Sequence, residues 1–338
     1  MKYTHVIMDH VGGPDVLHMQ EDDVLEPKTG EVRIEILATD VSFSTVLMQH
    51  GQYPGAPAVP FTPGYDLVGR VDKSGPEVFG IEHGQLVAAL TVYGSYSQYI
   101  CLPAHELISL PAGIDPAEAV CLVLSYVTAY QMLHRMAHVK AGERILVHGA
   151  AGGVGTALLQ LGVLAQVEMY GTVSQGKHKL VADLGAIPID YKTEDFVKRI
   201  FALTGDGVDV VFDPIGGTHL NQSFQTLRKG GRLVAYGFSS VREHDGNPLL
   251  SIVWQSVRLM LWSLPFSGKK GMFYSITGFK KKHPEWFRQD LSTLFDLLVQ
   301  GKIKPVIARR FPLAEVVAAH KLLEDGGVEG KLVLLPQS

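Results

Sequence analysis

The sequence predicts an α/β fold, a β-rich N-terminal part followed by a doubly wound parallel sheet. Three observations predict it. The apolar run Ile145, Leu146, Val147 leads into Gly149, Gly152, Gly153 and Gly155 and then directly into a helical pattern that starts near Val154. From Gly142 onward, short apolar runs alternate with helical segments. Residues 1–125 instead carry short β-branched runs divided by Gly and Pro turns. Alternating strand and helix is the pattern of a parallel sheet covered on both faces, because each crossover helix must bury one side.

In the N-terminal part the expected strands are Val32–Leu37, Leu67–Val71, Leu86–Leu90 and Tyr99–Leu102, separated by turns such as Gly12-Gly13-Pro14 and Pro63-Gly64. In the α/β part, Ile145–His148 is the first expected strand and Glu168–Val173 the second. Ile187–Asp190 follows the helix Lys179–Leu184, and Val208–Phe212 follows Glu194–Leu203. Arg232–Tyr236 follows Leu220–Leu227, and Gly271–Thr277 is expected as a sixth strand before a helix within 284–300. The tail from Ile303 reads as short strands, a helix over Ala314–Glu324 and a last strand, Lys331–Leu335. Its strand character predicts that it closes onto the N-terminal part.

The strand, glycine turn and helix are the parts from which doubly wound sheets build a dinucleotide site. Glycines let the backbone turn and approach a pyrophosphate, and the helix start turns unpaired N–H groups toward its charge. The bulk numbers exclude other classes. The chain has 338 residues, 46% of them hydrophobic and 19% charged, which describes a globular protein with room for two domains. A formal net charge of −4 offers no basic field, so nucleic acid is not an expected partner. Two cysteines, Cys101 and Cys121, are too few for a four-thiolate zinc site. They suggest no disulfide framework either, and a reducing cytoplasm is the expected location. The N-terminus lacks an apolar signal core. The apolar stretch Leu249–Phe266 contains Arg258 and falls short of the ~20 residues of a membrane span. It reads as a lid-forming, buried or dimer-facing helix, and no membrane partner is expected.

Several segments carry a family resemblance: ATDVSFSTVLMQHGQYP (38–54), VPFTPGYDLVGRV (59–71), YGSYSQYICLP (93–103), SYVTAYQML (125–133), HGAAGGVG (148–155), VDVVFDPIGG (208–217), KGGRLVAYG (229–237) and the tail from Gly301. The chain resembles the medium-chain dehydrogenase/reductase superfamily, in its zinc-free quinone oxidoreductase branch of zeta-crystallin-like and VAT-1-like proteins. The resemblance implies a GroES-like β domain over 1–125, a Rossmann domain over 126–302 and a return to the first domain over 303–338. It also implies a homodimer in which sixth strands pair across a two-fold axis.

Zinc-dependent relatives carry Cys where this chain has Ser42, and His-Glu where it has Tyr65-Asp66. Hydroxyl and phenol are poor zinc ligands beside thiolate and imidazole, so no metal is expected. The implied activity is hydride transfer to a quinone or an α,β-unsaturated carbonyl, with Ser42, Tyr53 and Tyr65 as the candidate catalytic residues. The related positions usually carry Asn, Asp and often Tyr, where this chain has Ser42, Thr45 and Leu47. Alternatives are a non-catalytic or membrane-associated NADPH-binding protein, and an enoyl-thioester or prostaglandin-type double-bond reductase.

NADPH is the expected cofactor. NAD-specific sites place a carboxylate at the end of the second strand, about 20 residues past the glycines, whereas this chain has Ser174, Lys177, His178 and Lys179 there. Hydroxyl and cationic donors suit a 2′-phosphate, which a carboxylate would repel. Which of the three basic residues makes the contact is open at this point. The resemblance adds Tyr191 at the 2′-phosphate, Thr128 near the nicotinamide, Gly216 and Gly217 near the ribose, and Gly237 and Phe238 at the nicotinamide pocket. Asp213 is expected to cap a loop.

Overall fold

The computed structural model describes residues 2–237, 257–263 and 268–337. Phe238 and much of the apolar stretch 249–266 lie outside the described residues. The chain forms two compact units, Met1–Ser125 with Arg288–Ser338, and Tyr126–Phe287.

In the first unit, β1 (Lys2–Met8) and β2 (Leu17–Asp23) form an antiparallel pair. Strand β3 (Glu31–Val41) shows a two-residue period, with Val32, Ile34, Ile36 and Ala38 buried and Arg33 and Glu35 half-buried between them. Helix α1 (Phe43–Gln49) starts just past the end of β3 because Ser42 is its N-cap, Oγ accepting from the Thr45 amide at 3.3 Å. Strands β4 (Asp66–Ser74), β5 (Leu86–Leu90), β6 (Tyr99–Pro103) and β7 (Ile108–Ser109) follow. Leu67, Val71, Val87 and Ala89 join the apolar face of β3 in one core. Asp115 caps α2 (Pro116–Cys121), with Pro116 in the first turn, where a missing N–H costs nothing.

The second unit opens with α3 (Val127–Tyr130) and then alternates: β8 (Arg144–His148), α4 (Gly153–Leu164), β9 (Glu168–Val173), α5 (His178–Asp183), β10 (Ile187–Asp190), α6 (Phe196–Thr204), β11 (Val208–Asp213), α7 (His219–Gln225), β12 (Leu227–Ala235) and β13 (Lys270–Phe273). All six strands run parallel, in the order β10-β9-β8-β11-β12-β13. Chain direction across the sheet therefore reverses between β8 and β11, the topological switch point at which doubly wound sheets bind ligands. Every residue of β11 is buried, as a central parallel strand covered on both faces requires. A short helix over 257–262 packs Leu259 into this core and stacks Trp262 on Phe224 with ring centroids 4.2 Å apart.

One expected element is corrected. The sixth strand stops at Phe273 rather than running to Thr277, because Ser275 caps a new helix, α8 (Ile276–Lys282), accepting from the Gly278 amide. Helix α9 (Pro284–Val299) follows. The tail then supplies β14 (Ile307–Pro312), α10 (Val316–Glu324) and β15 (Lys331–Leu335). Strand β15 pairs antiparallel with β3 and parallel with β14, so the two ends of the sequence share one sheet of the first unit.

Candidate active site

The glycine turn leaves the C-terminal end of β8 at the switch point. Gly149 adopts φ +64°, a left-handed conformation that favours glycine. A Cβ on Gly155 would lie 2.3 Å from the Gly149 carbonyl oxygen, so a side chain there would push the turn off the helix. Gly152 is the N-cap of α4 and contributes no side chain, which leaves the first amides, those of Gly153, Val154 and Gly155, for an external acceptor. Helix α3, which carries the buried Thr128, packs against α4.

At the end of β9, Ser174 and Lys177 are half-buried in a short turn before α5. The ammonium of Lys179 is exposed and pairs with Asp183 one helical turn on, at 2.7 Å. His178 turns Nε2 into a buried position where it has no hydrogen-bond partner among the described residues. Tyr191, after β10, is 55% exposed. Gly216 and Gly217 both adopt positive φ, +80° and +60°, and a Cβ on Gly237 would meet the Pro214 carbonyl oxygen at 2.6 Å.

Asp213 is a loop cap, as its sequence context suggested: Oδ1 accepts from the amides of Ile215 at 2.7 Å and Gly216 at 3.1 Å. It is also the hub of a buried cluster. Its Oδ2 accepts from Ser223 Oγ at 2.6 Å and from His219 Nδ1 at 2.9 Å, and Ser223 Oγ lies 3.0 Å from His148 Nε2. These hydrogen bonds and neighbouring imidazoles outweigh burial and hold the Asp213 carboxyl down at about 2. Burial pushes His148 down to about 3, which leaves it neutral. His148, Asp213 and His219 are the one group among the described residues compact enough to ligate a metal, their atoms lying within 4.8 Å of one another. The Ser223 hydroxyl sits in their midst and joins them by hydrogen bonds instead. Sequence reading missed this cluster, because its members lie on three different elements.

In the first unit, Tyr53 and Tyr65 join hydroxyl to hydroxyl at 2.6 Å, with rings edge-to-face. Tyr65 is 1% exposed, and burial raises the Tyr53 phenol above its usual value. Ser42 is 4% exposed, its oxygen engaged as the α1 cap. The substituted Thr45 takes part in a neutral network: its hydroxyl donates to the Ser42 carbonyl at 2.6 Å and lies 3.2 Å from Tyr96 Oη. Tyr96 Oη reaches His320 Nε2 at 3.1 Å, and His320 Nδ1 reaches Gln49 Oε1 at 2.7 Å. His320 comes from the distant tail, and nothing in the local sequence signals it.

Beside Tyr65, Asp66 is fully buried together with Asp40 and Lys331. Lys331 pairs with Asp40 Oδ2, while Asp40 Oδ1 and Asp66 Oδ2 have no hydrogen-bond partner among the described residues. Desolvation and the neighbouring Asp40 charge raise the Asp66 carboxyl well above its ordinary value.

Comparison with known proteins agrees with this architecture. Residues 28–112 match the alcohol dehydrogenase GroES-like domain and 184–334 the zinc-binding dehydrogenase family. The synaptic vesicle membrane protein VAT-1 homolog of Danio rerio is 29% identical over 98% of this chain and 70% of its own length. The crystal structure of Escherichia coli quinone oxidoreductase complexed with NADPH superposes with a TM-score of 0.87 at 29% identity, covering 98% of this chain and 100% of that one. A mycobacterial protein complexed with NADPH gives 0.85 at 30% identity, covering 99% and 100%. With both family domains present and likeness running end to end, the chain belongs to the medium-chain dehydrogenase/reductase superfamily, in the branch that holds the quinone oxidoreductases and VAT-1-like proteins.

Proposed function

We propose that the protein is a zinc-independent, NADPH-dependent oxidoreductase that transfers hydride to a quinone or an α,β-unsaturated carbonyl. The observation that carries this reading is the glycine turn at the switch point, paired with a second strand that ends in Ser174, Lys177 and His178 instead of a carboxylate. Relatives solved with NADPH support the same cofactor. In this reading the amides of Gly153, Val154 and Gly155 hold the pyrophosphate. Gly149 and Gly152 shape the turn. Ser174, Lys177 and Tyr191 meet the 2′-phosphate. Lys179 contributes less because Asp183 already engages it. Thr128, Gly216 and Gly237 complete the cofactor contacts, with Phe238 outside the described residues.

The bound nicotinamide supplies the hydride. As hydride reaches the acceptor carbon, negative charge grows on the acceptor's carbonyl oxygen, which then takes a proton. The Tyr53–Tyr65 pair is the proposed source of that proton, one phenol donating to the other across 2.6 Å. Ser42 accepts a hydrogen bond as helix cap, so its own O–H can donate. Zinc independence follows from the donor set. Ser42, Tyr65 and Asp66 stand where a zinc site needs thiolate and imidazole. The zinc-binding dehydrogenase match covers 184–334, which contains none of the three.

Among the described residues strand β13 ends the sheet order, and this edge position supports a homodimer formed by two-fold strand pairing. Both cysteines are free thiols, which supports a reducing cytoplasm. No helix among the described residues is long and apolar enough to cross a membrane.

The test is NADPH consumption by EDTA-treated protein with quinones and enones, with NADH in parallel. Turnover that prefers NADPH and survives chelation is expected; loss on chelation or preference for NADH would overturn the proposal. A second reading, a VAT-1-like nucleotide-binding protein without turnover, draws on the substitutions at Ser42, Thr45 and Leu47. Tight NADPH binding with no turnover on either acceptor class would favour it.

A further inference from the structure

We infer that His219 and Ser223 are positioning residues for the nucleotide, acting through a buried hydrogen-bonded chain that ties together the loops on both sides of the switch point. This rests on the proposed function, in which those loops hold NADPH.

The chain joins three neighbouring strand ends to one helix. Thr172 lies near the end of β9, His148 is the last residue of β8, and Asp213 is the last of β11. His219 and Ser223 sit one turn apart on α7 and so face the same side. The links are Thr172 Oγ1 to His148 Nδ1 at 2.9 Å, His148 Nε2 to Ser223 Oγ at 3.0 Å, Ser223 Oγ to Asp213 Oδ2 at 2.6 Å, and His219 Nδ1 to Asp213 Oδ2 at 2.9 Å.

Donor bookkeeping gives the chain one direction. The Asp213 carboxylate only accepts, so it takes the hydroxyl proton of Ser223 and the Nδ1 proton of His219. Ser223 Oγ then accepts from His148 Nε2–H. His148 is neutral, so its Nδ1 is bare and accepts the Thr172 hydroxyl. Each donor is used once; removing Thr172 or Ser223 strips the buried His148 of a partner, and removing His219 takes one of the two donors from Asp213 Oδ2.

The consequence is felt in the loops. Gly216 and Gly217 are two successive left-handed glycines, a conformation with large entropy to lose and no side chain to pin it. Asp213 Oδ1 pins it from one side through the Ile215 and Gly216 amides, and Arg258 donates to the Gly217 carbonyl at 3.2 Å from the other. The same chain fixes His148, which leads directly into the left-handed Gly149. One network therefore sets the turn proposed for the pyrophosphate and the turn proposed for the ribose.

The test measures NADPH dissociation and steady-state kinetics for the native protein, Ser223→Ala, His219→Ala and His219→Asn. Both alanine variants should bind NADPH about tenfold more weakly and raise its KM similarly, with kcat at saturating NADPH changed less than twofold. Asparagine can present an N–H where His219 Nδ1 stood, so His219→Asn should recover most of the loss. Amide exchange at Ile215 and Gly216 in the cofactor-free protein should rise about tenfold in His219→Ala and fall back in His219→Asn. Unchanged exchange and affinity in both alanine variants would overturn the role, as would a fall in kcat that tracks lost thermal stability. A native protein that binds no NADPH would overturn the proposed function and the positioning role with it; native binding with indifferent variants overturns only the positioning role.

Discussion

The hydroxyls of Tyr53 and Tyr65 lie 2.6 Å apart, so one hydrogen bond joins a half-buried phenol to a buried one. Burial raises the Tyr53 phenol, which keeps its proton through and beyond neutral pH. An acid whose pKa lies above the usual ~10 is active below that value and lost as pH rises through it. The acidic limb of quinone or enone reduction should therefore be flat, with kcat falling only above about pH 10. Tyr65→Phe should lower kcat by roughly 10²-fold with a smaller effect on the NADPH KM. A pH–rate profile of both proteins checks this, and a descending limb near pH 7 would contradict it.

Lys177 and Lys179 are two residues apart; Lys177 is half-buried in the turn at the end of β9, whereas Lys179 is exposed and pairs with Asp183. Lys177→Ala should raise the NADPH KM by about tenfold and leave the NADH KM unchanged, as loss of one charge-assisted contact to a phosphate implies. Lys179→Ala should change either value by less than about twofold, the usual scale of an exposed ion pair. Parallel kinetics with both nucleotides distinguish the outcomes.

Gly155→Ala places a methyl 2.3 Å from the Gly149 carbonyl oxygen, with backbone rather than a flexible side chain in the way. The variant should lose about 2 kcal/mol of stability, the scale of overpacking a rigid contact. It should also bind NADPH more weakly. Urea unfolding and nucleotide titration read the two effects separately.

Asp66 carries the opposite pH signature to a surface carboxylate. Its folded pKa is raised by burial and by Asp40, so the folded state holds a proton that the unfolded chain releases near pH 4. The stability linked to this proton is full below the unfolded value and is lost as pH rises toward the raised folded value. Asp66→Asn mimics the neutral acid and keeps an acceptor for the Asp40 amide. It should melt about 2–4 °C above the native protein at pH 8, the shift that ~1 kcal/mol produces in a domain of this class. At pH 4 the difference should vanish. Thermal melts at the two pH values check the sign.

Much of the second unit was legible from local pattern. Strands Glu168–Val173 and Ile187–Asp190 have the bounds that apolar periodicity predicts, and the glycine turn sits at the C-terminal end of its strand as its composition requires. Those signals are local: an apolar run, a left-handed glycine and a helix start act over a few residues. The end of the sixth strand was misread because Ser275 can close a strand or open a helix, and only the bond to the Gly278 amide decides which. The Tyr53–Tyr65 bond, the Thr45–Tyr96–His320–Gln49 network and the Asp213 hub were not legible at all. Sequence alone determined that this chain folds as a GroES-like part and a doubly wound part with a glycine turn between its first strand and helix. Tertiary structure alone decided which buried polar atoms meet, because a buried donor is satisfied by whatever acceptor the fold brings within 3 Å, and sequence spacing does not encode that distance.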